Sequence, residues 1–190
     1  MDLSSFLGTM PKTESDIEGA ATLGSKIFWI TSHGTNSNGQ VQDRRRKLFA
    51  TEILDGALPT VRSVGKPYSK LVEDLSADPK LAKYNLAEAA KKPPKIKGAL
   101  NIEGLADFGD GKLPIGFRNP LPDDMALLVP LENPEELVNG APAKLGSPIE
   151  LFLGGRGVRS SHNKALKIVR MDSKANVALV CAKGHQFGPR

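Results

Sequence analysis

Asp16-Ile17-Glu18-Gly19-Ala20-Ala21 returns later in the chain as Asn101-Ile102-Glu103-Gly104-Leu105-Ala106, and this recurrence decides the architecture. The wider match lays Ser15–Leu23 over Leu100–Phe108 at an offset of 85, sharing Ile-Glu-Gly-x-Ala. After one inserted residue, Lys26–His33 aligns with Lys112–Asn119 at an offset of 86. Self-similarity of this kind marks a chain built from repeated supersecondary units.

Each copy reads as strand, glycine-containing turn, strand, and Phe108-Gly109-Asp110-Gly111 carries the Asp-Gly chemistry that hairpins prefer. Two more strands follow each copy. Lys47–Leu54 and Thr60–Val64, separated by a turn on Asp55-Gly56, complete the first unit, and Met125–Leu131 and Pro148–Leu153 complete the second. Four short antiparallel strands per unit is the pattern of a β-propeller blade of roughly 40 to 50 residues.

The offset exceeds one blade because residues 69–92 read as helix. Leu71, Val72, Leu75, Leu81, Leu86 and Ala89 stand among Lys, Glu and Asp, Asp78-Pro79 opens a second helical turn, and Pro93-Pro94 closes the stretch. From Gly157 a third unit begins, with strands at Leu166–Met171 and Asn176–Cys181 but no third Ile-Glu-Gly. The expected fold is mainly β: a blade over 15–66, a helical insertion over 67–98, a blade over 99–155 and a partial blade over 156–190. Residues 1–14 are expected to be a poorly ordered N-terminal segment. About two and a half blades cannot close a ring, and open strand edges invite pairing with another chain, so self-association is expected. The chain reads as a fragment, a truncated product or an oligomerising piece.

Asp16–Ala21, Phe28-Trp29-Ile30-Thr31-Ser32-His33-Gly34 and Arg46-Lys47-Leu48-Phe49-Ala50-Thr51 together resemble the opening of an uncharacterised family catalogued as domain of unknown function 3616. Asn101–Ala106, Ile115-Gly116-Phe117-Arg118-Asn119-Pro120 and Leu127-Leu128-Val129-Pro130-Leu131 resemble its next section, so the likeness covers about residues 15 to 160. It implies a β-propeller-like fold with no established activity. From His162 onward the chain departs from the family. A weaker likeness runs to the esterase-like phytase and gluconolactonase-type propellers, which also carry a Glu-Gly on an inner strand; in the gluconolactonase type that acid binds a divalent cation in the central channel.

Composition narrows the classes. With 190 residues, 39% hydrophobic and 25% charged, the chain has the balance of a globular domain and not of a disordered one. Nineteen Gly and 14 Pro favour a turn-rich fold. One cysteine, Cys181, excludes an internal disulfide and a cysteine zinc site, and in its apolar strand it reads as a small core residue. No apolar run suits a membrane span and no leader pattern opens the chain, which by default suggests a cytoplasmic protein without a membrane partner. The formal charge of +5 is concentrated at the end, with eight Lys/Arg and one Asp between Arg156 and Arg190. Those charges interleave with apolar residues as on half-buried strands, so nucleic acid is not the expected partner.

If the Ile-Glu-Gly strands are innermost, Glu18 and Glu103 point towards a common channel, with Asp16 and Asn101 two residues away on the same strand face. These oxygens suit a hard divalent cation, calcium or magnesium, whose bound water would serve a hydrolase of an ester, lactone or phosphate. The competing reading is structural: each Glu locks neighbouring blades by hydrogen bonds while Gly19 and Gly104 allow close approach. His33, Arg118 and Asn119 stand at loop ends and are the candidate substrate-binding residues, Arg118 as a clamp for phosphate or carboxylate and His33 as base or ligand. The competing reading there is a turn-capping His and an Arg paired with Asp123 or Asp124. Arg44-Arg45-Arg46-Lys47 reads as a solvated loop before a strand, with a polyanion grip as the alternative. The chain has no phosphate-binding Gly-x-x-x-x-Gly-Lys-Ser/Thr loop, no His-Glu-x-x-His and no Gly-x-Ser-x-Gly. A binding or scaffolding module without demonstrable catalysis is the leading expectation, and the metal-dependent hydrolase the alternative.

Overall fold

The computed structural model describes residues 2–56 and 60–158 in full, and the backbone of 166–171 and 176–181. Strands form where short apolar-polar alternations lie between turn residues. β1 (Ile17–Leu23), β2 (Lys26–Thr31), β3 (Leu48–Leu54) and β4 (Thr60–Tyr68) make one antiparallel sheet in that order. β5 (Asn101–Leu105), β6 (Leu113–Asn119), β7 (Ala126–Leu131) and β8 (Ile149–Leu151) make a second. β9 (Leu166–Met171) and β10 (Asn176–Cys181) pair as an antiparallel hairpin. The chain is mainly β, with two four-stranded meanders, here called sheets A and B.

The helical insertion contains α2 (Leu71–Ala77), a 3-10 turn over Pro79–Tyr84, and α3 (Leu86–Ala89). Asp78 caps the 3-10 turn by accepting from the Lys80 amide at 2.9 Å, with Pro79 at the first helical position where its missing N–H costs nothing. Two helices go beyond the sequence reading. Between β1's approach and the N-terminus, α1 (Ser4–Leu7) buries Leu7 and sets the Phe6 ring edge-on to Phe49, so the segment expected to be poorly ordered carries a helical turn against sheet A. α4 (Pro134–Val138) starts at a proline and carries Glu135 and Glu136 in its first turn.

The two sheets share one apolar core. Phe28, Ile30, Leu48 and Ala50 from sheet A meet Ile102, Ile115, Phe117, Leu127 and Val129 from sheet B, and α2, α3 and α4 add Leu71, Leu75, Leu86 and Leu137. Each fully buried Phe, Leu or Ile is worth about 1.5–3 kcal/mol relative to exposure, so this cluster carries most of the folding energy. β7 is buried at every position, because its second face packs under Val158 through Ala126 and Leu128.

One packing relation occurs twice. A Cβ on Gly19 would stand 2.9 Å from the Leu105 amide nitrogen, and one on Gly104 would stand 2.8 Å from Val158 Cγ1, so each repeated glycine admits the next segment of chain. Alongside, Ile102 N–H donates to Ser32 O, and Val158 N–H donates to Phe117 O, both at 2.9 Å. Val158 thus stands to sheet B much as β5 stands to sheet A. Residues 1, 57–59, 159–165, 172–175 and 182–190 lie outside the described residues, as do the side-chain surroundings of Cys181.

Candidate functional site

β5 and β6 pair antiparallel with Asn101 opposite Asn119 and Ile102 opposite Phe117, and the irregular register leaves Arg118 bulged at the strand end. There Arg118 meets Glu103. Arg118 Nη1 donates to Glu103 Oε1 at 2.5 Å, and Asn101 Nδ2 donates to the same oxygen at 3.0 Å. Glu103 and Asn101 are buried, whereas the Arg118 side chain is 52% exposed. A buried carboxylate needs a cation or several donors to offset its lost hydration, and these two neighbours supply both. The structure therefore unites one candidate substrate group, Arg118, with two candidate metal ligands, Glu103 and Asn101. Arg118 pairs with Glu103 and not with Asp123 or Asp124.

Asn119 turns the other way. Its Nδ2 donates to Ile96 O at 3.2 Å, which holds the loop after Pro93-Pro94 against the end of β6.

The first repeat is arranged differently. Ser32 occupies the place that Arg118 has in the second copy, so no arginine arises from that strand. Asp16, at φ 56, accepts the Ser32 amide through its carbonyl, and its carboxylate lies 3.5 Å from Arg45 Nη1. Glu18 is half-buried on β1. Among the described residues, no three His, Cys, Asp or Glu side chains gather into a group able to hold a metal ion.

His33 is placed at the end of β2, as the sequence suggests, but inside the protein. It has φ 55, is fully buried, and its amide donates to Arg45 O at 2.8 Å. Nδ1 lies 2.8 Å from Thr31 O, an acceptor, so that nitrogen carries the proton. Burial pushes the imidazole down from its ordinary 6.5 to about 4, with the Arg46 charge adding to the effect and the Thr31 carbonyl opposing it. His33 is thus neutral at pH 7, and its Nε2 is buried without a hydrogen-bond partner among the described residues.

The arginine run is not a solvated loop. Arg45 and Arg46 side chains are 20% and 13% exposed, drawn in by Asp16 and Glu14 on one side and Glu73 of α2 on the other. Thr31 Oγ1 donates to Arg45 O at 2.6 Å and accepts from Lys47 N–H at 2.8 Å, binding the run to the end of β2. The short loop is pinned from both ends, and two of its cations, Arg45 and Arg46, have carboxylates within reach, which is why solvation does not win.

Sequence reasoning missed the Glu103–Arg118 pair itself. Its signal was present: a hairpin turning at Phe108–Gly111 folds Arg118 back onto the start of β5. No protein-family model, curated protein or solved structure matches the chain. Among the described residues, no helix is long and apolar enough to cross a membrane.

Proposed function

We propose that the protein is a propeller-type binding or scaffolding module, akin to the domain of unknown function 3616 family that its repeats resemble, and that it performs no chemistry of its own. The blade reading is supported by the twice-used packing of a repeated glycine against the next stretch of chain. The observation that carries binding over catalysis is the buried Glu103 carboxylate, held by Arg118 and Asn101. A hydrolase using Glu103 as a calcium or magnesium ligand would first have to break that pair, and a buried charge stripped of its partner costs several kcal/mol.

Thermal unfolding with and without calcium or magnesium tests the reading. We expect neither ion to raise the melting temperature, and Glu103→Gln to lower stability by about 1–3 kcal/mol through loss of the charge-assisted bond. A metal-linked rise in melting temperature that Glu18→Gln or Glu103→Gln abolishes would overturn it in favour of the hydrolase.

β4 and β8 end their sheets among the described residues, and such edges can continue pairing with a second copy. Self-association through these edges predicts a discrete dimer or trimer by light scattering. A monomer at every concentration would refute this assembly.

A further inference from the structure

Three separate stretches of chain that carry cations pack at the end of β6. Arg118 itself is the first. The second is the loop that Asn119 holds at Ile96 O, where Lys95 and Lys97 flank the contact and are exposed. The third is the segment before Val158: a Cβ on Gly157 would lie 2.0 Å from Arg118 O, so only glycine allows this approach, and exposed Arg156 is its neighbour in sequence. Glu103 offsets the charge of Arg118, and exposed Asp123 and Asp124 just after β6 offset two of the three further cations Lys95, Lys97 and Arg156, leaving a surplus of one.

Arg118 is also pre-set for recognition. A guanidinium offers five N–H donors in a rigid plane, and Glu103 takes one of them through Nη1. The carboxylate beneath is buried and fixed, while about half of the arginine side chain, 52%, is open to solvent. An arginine ordered before binding loses less freedom when it forms a two-pronged contact with an oxyanion.

We propose that this strand end is an oxyanion-binding site, in which Arg118 grips a carboxylate or phosphate group of a small ligand, with Lys95, Lys97 and Arg156 supplying the surrounding field. The inference deepens the binding-module reading by naming its ligand class. The two fail separately, because the metal titration reads a cation and this site reads an anion.

The test is calorimetric titration of the 190-residue chain with inorganic phosphate and, separately, with citrate, at low and near-physiological salt. Saturable binding of either probe is expected, and which one binds assigns the source of the oxyanion. Arg118→Gln should weaken it by about tenfold or more, since one partner of a charged contact is removed. Arg118→Lys, which keeps the charge and guards against misfolding of the first variant, should still weaken it because the planar fork is lost. Lys95→Gln with Lys97→Gln should weaken it less and reduce its salt dependence. The proposal is overturned if neither anion binds the folded chain, if both Arg118 variants bind as the wild type does, or if binding vanishes at near-physiological salt in every variant alike.

Discussion

At residue scale, His33 makes the sharpest claim about solution behaviour. Its folded value of about 4 lies below the ordinary 6.5, so the unfolded chain takes up the proton first as pH falls. The contribution of the neutral imidazole is complete above pH 6.5 and is lost as pH drops towards 4, amounting to roughly 3 kcal/mol at one pKa unit per 1.36 kcal/mol. Urea unfolding across that window should show stability falling with acidification. His33→Asn, which tolerates the left-handed backbone, should flatten the slope; an unchanged slope would assign it to other groups. The sequence placed His33 correctly at a strand end but gave no sign of its burial. That burial comes from the Arg45–Lys47 segment folding back over Thr31, a tertiary event invisible to local pattern.

At the scale of elements, the repeated glycines carry the load. Gly19→Ala sets a methyl against the Leu105 backbone, and Gly104→Ala sets one against Val158 Cγ1. The first should cost more, about 1–3 kcal/mol, because a backbone amide yields less readily than the end of a side chain. Chemical unfolding of the two variants measures the difference, and equal losses would refute this ordering. Strands were legible because turn residues bracket short apolar stretches, as at Leu113–Asn119 and Ala126–Leu131. α1 and α4, at four and five residues, are too short to display helical periodicity. α4 did announce itself by Pro134 followed by Glu135 and Glu136, a start signal read only by attending to caps.

Across the whole molecule, two sheets and the inserted helices draw on one core, and coincident melting of all probes is the expected outcome. Sequence repetition was enough to divide the chain into four-stranded units, since each copy carries its own turns and strands. It was not enough to show how the copies differ in contacts: Ser32 and Arg118 occupy corresponding places, and Arg118 folds back onto Glu103. The chain's single tryptophan lies wholly on one side of this division. Trp29 stacks on Phe49 with ring centroids 6.3 Å apart and donates to Thr51 Oγ1 at 3.0 Å, both within sheet A. Its emission is therefore a private optical channel for the first sheet, whereas circular dichroism sums over both. Any lag between those two signals during melting would be a clock, telling which half of the shared core lets go first.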